Sequence, residues 1–152
     1  MGCSSTSSAG GFRRPFADPG NLVVDSLVLA GAAEPTPRSY IRAGIADHGI
    51  AAVKFPLFVV AGHSVTVQIP RSARRLAGLA YAGGRLRDAD HTLNFVSCSV
   101  DRSRSRASGL PVTFWSGGLV TERPACVPLD VYVDDEPSPQ HVAVSLGRPC
   151  DA

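Results

Sequence analysis

Ser116 is the serine best placed by its neighbours to act as a nucleophile, because it precedes Gly117 and Gly118 between two apolar runs. A nucleophilic serine also needs a histidine within hydrogen-bond reach to accept its proton. The four histidines of the chain are His48, His63, His91 and His141. None is close to Ser116 in sequence, and the G-x-S-x-G pattern of a nucleophile elbow does not surround it. We therefore predict no catalytic residue, and interpret the two glycines as a turn or bulge that redirects a strand.

The histidines, cysteines and carboxylates do not follow the local spacings of metal ligands, such as C-x₂-C or H-x₃-H. The acidic residues crowd into turns, at Asp88 and Asp90 and again at residues 134–136, where carboxylates are usually solvated. Weak calcium binding by Asp134 and Asp135 is the alternative. The glycine pairs lack the lysine and the spacing of a phosphate-binding loop. The sequence therefore predicts no metal site and no cofactor.

Arg102, Arg104 and Arg106 form the densest basic patch of the sequence. In an extended loop this spacing projects three side chains to one side, where they could bind phosphate, an acidic glycan or anionic lipid headgroups. Aromatic residues for base stacking do not interleave with them, and the formal net charge is only +2. We expect no nucleic-acid partner, and a solvated loop without a ligand is the alternative to anion binding.

The elements that must position these residues are short strands. The 152 residues include 15 Gly and 12 Pro, which divide apolar runs rich in β-branched and aromatic residues. The length suits one domain. We predict an all-β fold, an antiparallel β-sandwich of immunoglobulin-like or jelly-roll type, over residues 21–152. Residues 1–20, which begin MGCSSTSSAGG, are small and polar and are predicted to form a flexible, disordered tail.

Individual strands are indicated by alternation and by turn residues. Residues 21–29 are predicted as the first strand, residues 57–60 and 64–69 as an alternating pair joined around Gly62, and residues 99–109 as a polar loop. Residues 127–133 alternate most clearly. Their core-facing side chains are predicted to pack with Phe95 and Phe114, and are Val127, Leu129, Val131 and Val133.

Cys126 and Cys150 are predicted to form a disulfide. Cys126 opens the strand at residues 127–133, and Cys150 follows a second alternating run. Folding the two runs as a hairpin with Val133 opposite His141 places Cys126 opposite residue 148 or so, close enough for a bond if the terminus bends. An oxidising compartment would favour this bond, and reduced, buried thiols in a cytosolic protein are the alternative.

Cys98 ends another predicted strand and is the alternative partner of Cys126 or Cys150, so one disulfide and one thiol are expected among these three. Cys3 follows Gly2 and precedes serines, which resembles what remains of a bacterial lipoprotein signal around its lipidated cysteine. The letters also match the eukaryotic myristoylation pattern, with palmitoylation at Cys3. We predict that Cys3 carries a lipid and tethers the domain to a membrane surface; an unmodified cysteine in a disordered tail is the alternative.

Fourteen of the fifteen basic residues are arginine, a bias that accompanies high-GC genomes and indicates an actinobacterial source. The second half of the chain contains G-x-x-V-T-V-x-x-P (62–70), T-F-W-S-G-G-L-V (113–120), C-V-P-L-D-V (126–131) and a closing G-x-P-C (147–150). These segments resemble small exported or lipid-anchored actinobacterial proteins of unknown function. The resemblance implies export and a β-rich domain, and supplies no site.

Two functional hypotheses follow. The first is a non-enzymatic, extracytoplasmic β-sandwich module, secreted or lipid-anchored at the cell envelope, that binds a protein or an envelope polymer. The second is a small extracytoplasmic hydrolase whose site is assembled from distant residues, for instance Ser116 with His91 or His141. A shared cleft holding these side chains would favour the hydrolase, and their dispersal would favour the binding module.

Overall fold

The computed structural model describes residues 1–5, 14–33, 45–46, 50–81, 89–103, 105–107 and 109–150, and for residues 5, 45–46, 50–51 and 105–107 it describes the backbone alone. This part contains thirteen strands and two 3₁₀ helices, Cys3–Ser5 and Arg71–Ala73. The strands are β1 (Leu22–Val24), β2 (Leu27–Leu29), β3 (Ile45–Ala46), β4 (Ile50–Lys54), β5 (Leu57–Val60), β6 (Ser64–Gln68), β7 (Ala77–Leu79), β8 (Thr92–Val96), β9 (Ser105–Ala107), β10 (Leu110–Trp115), β11 (Gly118–Thr121), β12 (Ala125–Val133) and β13 (Gln140–Leu146).

The strands form three sheets, in which neighbouring strands are antiparallel. Sheet A has the order β1-β2-β5-β10-β9, sheet B the order β3-β4-β11-β7, and sheet C the order β13-β12-β6-β8. One large cluster of buried apolar side chains draws on all three sheets. The prediction of an all-β, antiparallel β-sandwich is therefore confirmed.

Sheets A and B are joined by one continuous two-stranded ribbon. Strands β4 and β5 form one side of it, and β11 and β10 form the other. The register does not change where the ribbon passes between sheets: Leu57 lies opposite Trp115 in sheet A, and Lys54 lies opposite Gly118 in sheet B. Since equal numbers of residues separate these pairs on both sides, the ribbon bends without an inserted residue.

The bend is packed too closely for side chains. A Cβ atom on Gly118 would overlap the carbonyl oxygen of Val53, and one on Gly117 would overlap Tyr81. The Phe55 N–H donates to the Gly117 carbonyl at 2.9 Å, and the Tyr81 hydroxyl donates to the Phe55 carbonyl at 2.6 Å. The two glycines therefore do redirect the strand, as expected, but through a bend that keeps the register of the ribbon rather than through a turn or bulge.

Three aromatic rings fill the centre of the core. Phe95 from sheet C lies between Tyr81 and Trp115, with ring centroids 5.2 and 5.3 Å apart in edge-on arrangements, which the ring quadrupoles favour. Burial removes the Tyr81 hydroxyl from water and raises its pKa far above the ordinary value. Tyr81 therefore stays neutral and donates its hydrogen bond throughout the usual pH range.

The predicted core positions of β12 are correct, and one predicted partner is not. Val127, Leu129, Val131 and Val133 are buried in the large cluster with Phe95. Phe114 is also buried, but it lies in a second, smaller cluster with Phe58 and Val28, against which Phe16 packs. Successive residues of a strand point to opposite faces, so Phe114 and its neighbour Trp115 serve opposite faces of sheet A.

Both described ends of the predicted tail contact the domain. The Met1 nitrogen donates to the Asn94 carbonyl at 2.6 Å, and the Val96 N–H donates to the Met1 carbonyl at 2.9 Å. The Asn21 amide donates to the Pro15 carbonyl, and Pro15 is buried. The flexible-tail prediction therefore needs correction at residues 1–5 and 14–20, and residues 6–13 lie outside the described part.

Three strand predictions also need correction. Residues 22–29 form two strands, β1 and β2, joined by a tight turn with Asp25 at a φ of 51°. Strands β5 and β6 do not pair; they belong to sheets A and C, and Gly62, at a φ of 89°, lies in the crossing between them. The expected polar loop 99–109 contains β9, which pairs with β10.

The disulfide between Cys126 and Cys150 is present, with Cα atoms 5.0 Å apart. The hairpin register behind that prediction differs, because Cys126 lies opposite Ser145 rather than residue 148. Gly147, at a φ of 74°, and a hydrogen bond from Ser145 Oγ to the Arg148 carbonyl turn the chain back. Cys150 thereby reaches Cys126 from beyond the ladder.

Cys3 forms a disulfide with Cys98, with Cα atoms 4.8 Å apart. Its sulfur is therefore not available for a lipid thioether, and the predicted lipidation and tether at Cys3 are incompatible with this structure. Cys98 is likewise not the partner of Cys126 or Cys150. The expected leftover thiol is absent as well, since all four cysteines are paired.

Replacing Tyr81 by Phe removes the hydroxyl that pairs with the buried Phe55 carbonyl at the ribbon bend. Because an unpaired buried acceptor keeps its desolvation cost, we expect a loss of about 1–3 kcal/mol in the free energy of unfolding, measured by urea denaturation. Tyr132→Phe, on the half-buried outer side of β12, is the control and should change stability little. Equal effects of the two changes would contradict the assigned role of the Tyr81 hydroxyl.

The two disulfides close loops of unequal length, with sequence separations of 95 for Cys3–Cys98 and 24 for Cys126–Cys150. The loop-entropy model gives contributions of about 4.7 and about 3.5 kcal/mol, respectively. We expect the double serine variant of the first pair to be the less stable in denaturant titrations. The reverse order would show that native contacts, rather than loop length, decide the contribution of each bond.

Candidate functional site

The outward face of sheet C carries a group of polar side chains that the strand register brings close together. Strands β12 and β6 alternate strictly between buried apolar and half-buried residues. The apolar residues Val96, Pro128 and Ala143 also point outward from this sheet. The polar residues that point outward, which we call the polar face, include Thr66, Gln68, Thr92, Asn94, Asp130, Tyr132 and His141.

Strand register arranges the polar face in two rows. Asp130 lies between His141 on one side and Gln68 on the other, and Gln68 lies opposite Thr92. In the second row Thr66 lies between Tyr132 and Asn94. Residues directly opposite on one face have Cβ atoms about 5 Å apart, so both rows present closely spaced donors and acceptors around one aromatic ring.

A histidine–aspartate pair closes the first row. His141 Nδ1 donates to Asp130 Oδ1 at 2.8 Å, while the imidazole is 78% exposed and the carboxylate 18% exposed. The Asp130 carboxylate is therefore held against the sheet, and the imidazole remains open to solvent. A ligand on this face would meet a free ring edge and a fixed carboxylate.

A second histidine–aspartate pair lies at the end of the face, where β12 leaves the sheet. Asp134, at a φ of 51°, accepts from the Ser64 N–H at 2.9 Å and from His63 Nδ1 at 2.8 Å. The Ser64 hydrogen bond and then the His63 ring hold the Asp134 pKa below its ordinary value. Both side chains are more than a third exposed. The pair therefore stabilises the turn and does not form a buried catalytic group.

The structure does not assemble the predicted hydrolase site. Ser116 is exposed at the ribbon bend. His91 Nε2 donates to the Arg74 carbonyl at 3.0 Å, and His141 is bound to Asp130. Among the described residues, no histidine is hydrogen-bonded to Ser116, so the structure pairs neither His91 nor His141 with it; His48 lies outside them.

Within the described ranges, no three His, Cys, Asp or Glu side chains converge as a metal site would require. Asp134 is engaged by Ser64 and His63, and its neighbour Asp135 is exposed. Asp90 takes part in a bridge with Leu79, whereas Asp88 is not described. The alternative of calcium binding by Asp134 and Asp135 therefore gains no third ligand here.

The three arginines of the predicted anion site are only partly described. Arg102 is exposed and follows Asp101, whose pKa is lowered mainly by the Ser99 hydroxyl. Arg106 lies in β9, where its backbone is opposite Pro111, and its side chain and Arg104 are not described. Because a stable carboxylate adjoins Arg102, its attraction for an anion is reduced.

Comparison with protein-family models, with curated proteins and with solved structures found no match to this chain. No helix in the described part is long and apolar enough to cross a membrane. Functional inference therefore depends on the geometry of the site.

Sequence reasoning missed the polar face, although part of its signal is visible. The alternation in residues 64–68 and 127–133 predicts which side chains point outward. What the alternation does not predict is that β6 lies between β12 and β8. Without that order, Gln68 and Asn94 cannot be placed beside Asp130 and Tyr132.

The hydrogen bonds to Asp134 predict an acid-dependent loss of stability. A carboxylate whose pKa is lower in the folded state stabilises the fold above its unfolded value, and this stabilisation is lost as the pH falls through the folded value. The ordinary value is 3.8. Asp134→Asn keeps an acceptor for Ser64 and tolerates positive φ, so we expect this variant to lose less stability than the parent below that pH.

Denaturant titrations at several pH values measure this difference. Asp135→Asn is the matched control, because it removes a neighbouring exposed carboxylate to which the structure gives no hydrogen bond. The same flattening of the pH profile in both variants would show that general charge repulsion, not the Asp134 hydrogen bonds, causes the acid sensitivity.

Proposed function

We propose that this protein is a non-enzymatic binding module of an extracytoplasmic compartment, and that its polar face binds a neutral, hydroxyl-rich polymer of the cell envelope. The observation that supports this proposal most directly is the register that surrounds Tyr132 with Thr66, Asn94 and, in the next row, Asp130 and Gln68. Amides, carboxylates and hydroxyls provide the mixed donors and acceptors that hydroxyl groups require.

The charge of the face argues against other ligand classes. Asp130 and Asp134 would repel a polyanion, and the two histidines beside them are already engaged by these carboxylates. A protein interface would have a more apolar centre, since the buried core of such interfaces is depleted of charged residues. Here the outward centre is a half-buried tyrosine among polar residues, which suits stacking against a sugar ring.

The two disulfides support the proposed extracytoplasmic location. They engage all four cysteines, and such bonds form and persist in oxidising environments outside the cytosol. The resemblance to exported proteins points the same way. The binding experiments should therefore use protein that has been secreted into the medium or the periplasm.

Affinity electrophoresis in gels that contain neutral glucans, mannans or galactans tests the ligand class. The parent should be retarded by at least one of these polymers, and Tyr132→Ala should weaken the retardation about fivefold, because loss of one stacked aromatic costs on the order of 1 kcal/mol. Leu110→Ala, an exposed apolar residue of sheet A, is the control and should behave as the parent.

Two results would contradict the proposal. Retardation by dextran sulfate alone would assign binding to a basic surface instead. Retardation that persists in Tyr132→Ala and in a Gln68→Ala variant would show that the polymer binds elsewhere.

A further inference from the structure

The three sheets protect their edges unequally. Sheet A ends in β1 and β9, of three residues each, and sheet B ends in β3 and β7, of two and three residues. In sheet C, the edge of β8 is covered in part by Met1, which bonds to the Asn94 carbonyl and the Val96 N–H. The remaining edge, β13, is seven residues long. Short or covered edges resist pairing with another chain, so β13 is the exception among the described strands.

The hydrogen-bond pattern of sheet C shows which backbone groups β13 turns outward. The Ile69 N–H donates to the His91 carbonyl, and the Ser97 N–H donates to the His63 carbonyl. The backbone N–H and C=O groups of the odd-numbered residues at β6 therefore point toward β8. The even ones face β12, as the bond from Asp134 N–H to the Ser64 carbonyl confirms.

Antiparallel ladders alternate strictly, which extends this pattern to the edge. The backbone groups of the even-numbered residues of β12 point toward β6, so those of its odd-numbered residues point toward β13. Their partners there are the even-numbered residues 140–146. The N–H and C=O groups of His141, Ala143 and Ser145 therefore point away from the sheet.

These outward groups are six in number, and the described part of the chain provides no backbone partner for any of them. The sequence of β13, QHVAVSL, contains no Lys, Arg, Asp, Glu or Pro. Natural edge strands usually carry such residues to prevent pairing. An edge that is long, uncharged and unpaired is suited to accept another strand.

We propose that β13 pairs with β13 of a second copy of this chain, antiparallel about a two-fold axis at Ala143. The strand is close to palindromic about this residue, with Val142 and Val144 on either side. Pairing would place Ala143 opposite Ala143 of the second copy, and His141 opposite its Ser145. All six outward groups of each copy would then be satisfied, by six hydrogen bonds between the copies.

The side chains favour this register. On the inner face, Val142 lies opposite Val144 of the second copy, and β-branched pairs stabilise antiparallel sheets. No like charges meet, because His141 faces a serine. A second copy fits better than an unrelated peptide, since the near-palindrome matches the isologous contact that two-fold symmetry requires. Sheet C then continues across the axis as eight strands.

Sedimentation velocity of the full oxidised chain across micromolar concentrations tests this pairing. We expect a concentration-dependent dimer. Ala143→Pro removes only an outward N–H, and proline is tolerated at such edge positions; it should raise the dimer dissociation constant about tenfold or more, because two central hydrogen bonds are lost. Ala143→Lys places like charges opposite each other at the axis and should act in the same direction.

Thr92→Lys is the control, since it adds the same charge to an exposed residue on β8, the strand at the opposite edge of sheet C. It should dimerise as the parent does. Melting temperatures show that each variant is folded. A parent that stays monomeric, a dimer insensitive to both Ala143 variants, or a monomer that pairs only with extended peptides would each overturn the proposal. Because this readout needs no ligand, its failure leaves the polymer-binding proposal intact.

Discussion

The fold depends on the bend at which one ribbon passes from sheet A into sheet B, and the hydrogen bond from the Tyr81 hydroxyl to the Phe55 carbonyl stabilises this bend. A bent ribbon needs close backbone approach, which Gly117 and Gly118 allow, and a hydrogen-bond donor for the Phe55 carbonyl, which is buried inside the bend. Tyr81 supplies that donor, and its ring packs edge-on against Phe95, which in turn meets Trp115. The same side chain therefore satisfies the bend and joins sheets B, C and A through the core.

Local features of this architecture could be predicted from the sequence, and non-local ones could not. The alternation of residues 127–133 depends only on strand geometry, so its buried face was predictable. The pairing of β5 with β10 instead of β6 depends on which sheet each strand joins, and an alternating pattern carries no information on that choice. The Cys126–Cys150 bond was predictable because one hairpin delivers it, even with the register misplaced by three residues. The Cys3–Cys98 bond links segments 95 residues apart, and no local sequence pattern predicts it.

Sheet C differs from the other two sheets in how it is held. One disulfide fixes residue 3 beside the end of β8, and the other fixes the chain beyond β13 to the start of β12. Both bonds therefore brace the sheet that carries the polar face. Side chains on strands are placed more rigidly than those on loops, and each disulfide adds a covalent restraint at a corner of the sheet. The spacing of the polar rows is set by the strand register.

The polar face and the β13 edge are consequences of the same alternation. In an antiparallel strand the side chains alternate across the sheet, while the backbone groups alternate within its plane. In β13 the residues that turn their backbone outward, His141, Ala143 and Ser145, are also those whose side chains lie on the outer face. A strand added at this edge would therefore extend the polar face beside His141, whose ring is already oriented by Asp130. Two copies joined there would present two sets of rows side by side, and a polymer long enough to span the axis would bind both sets with the effective concentration of a linked pair.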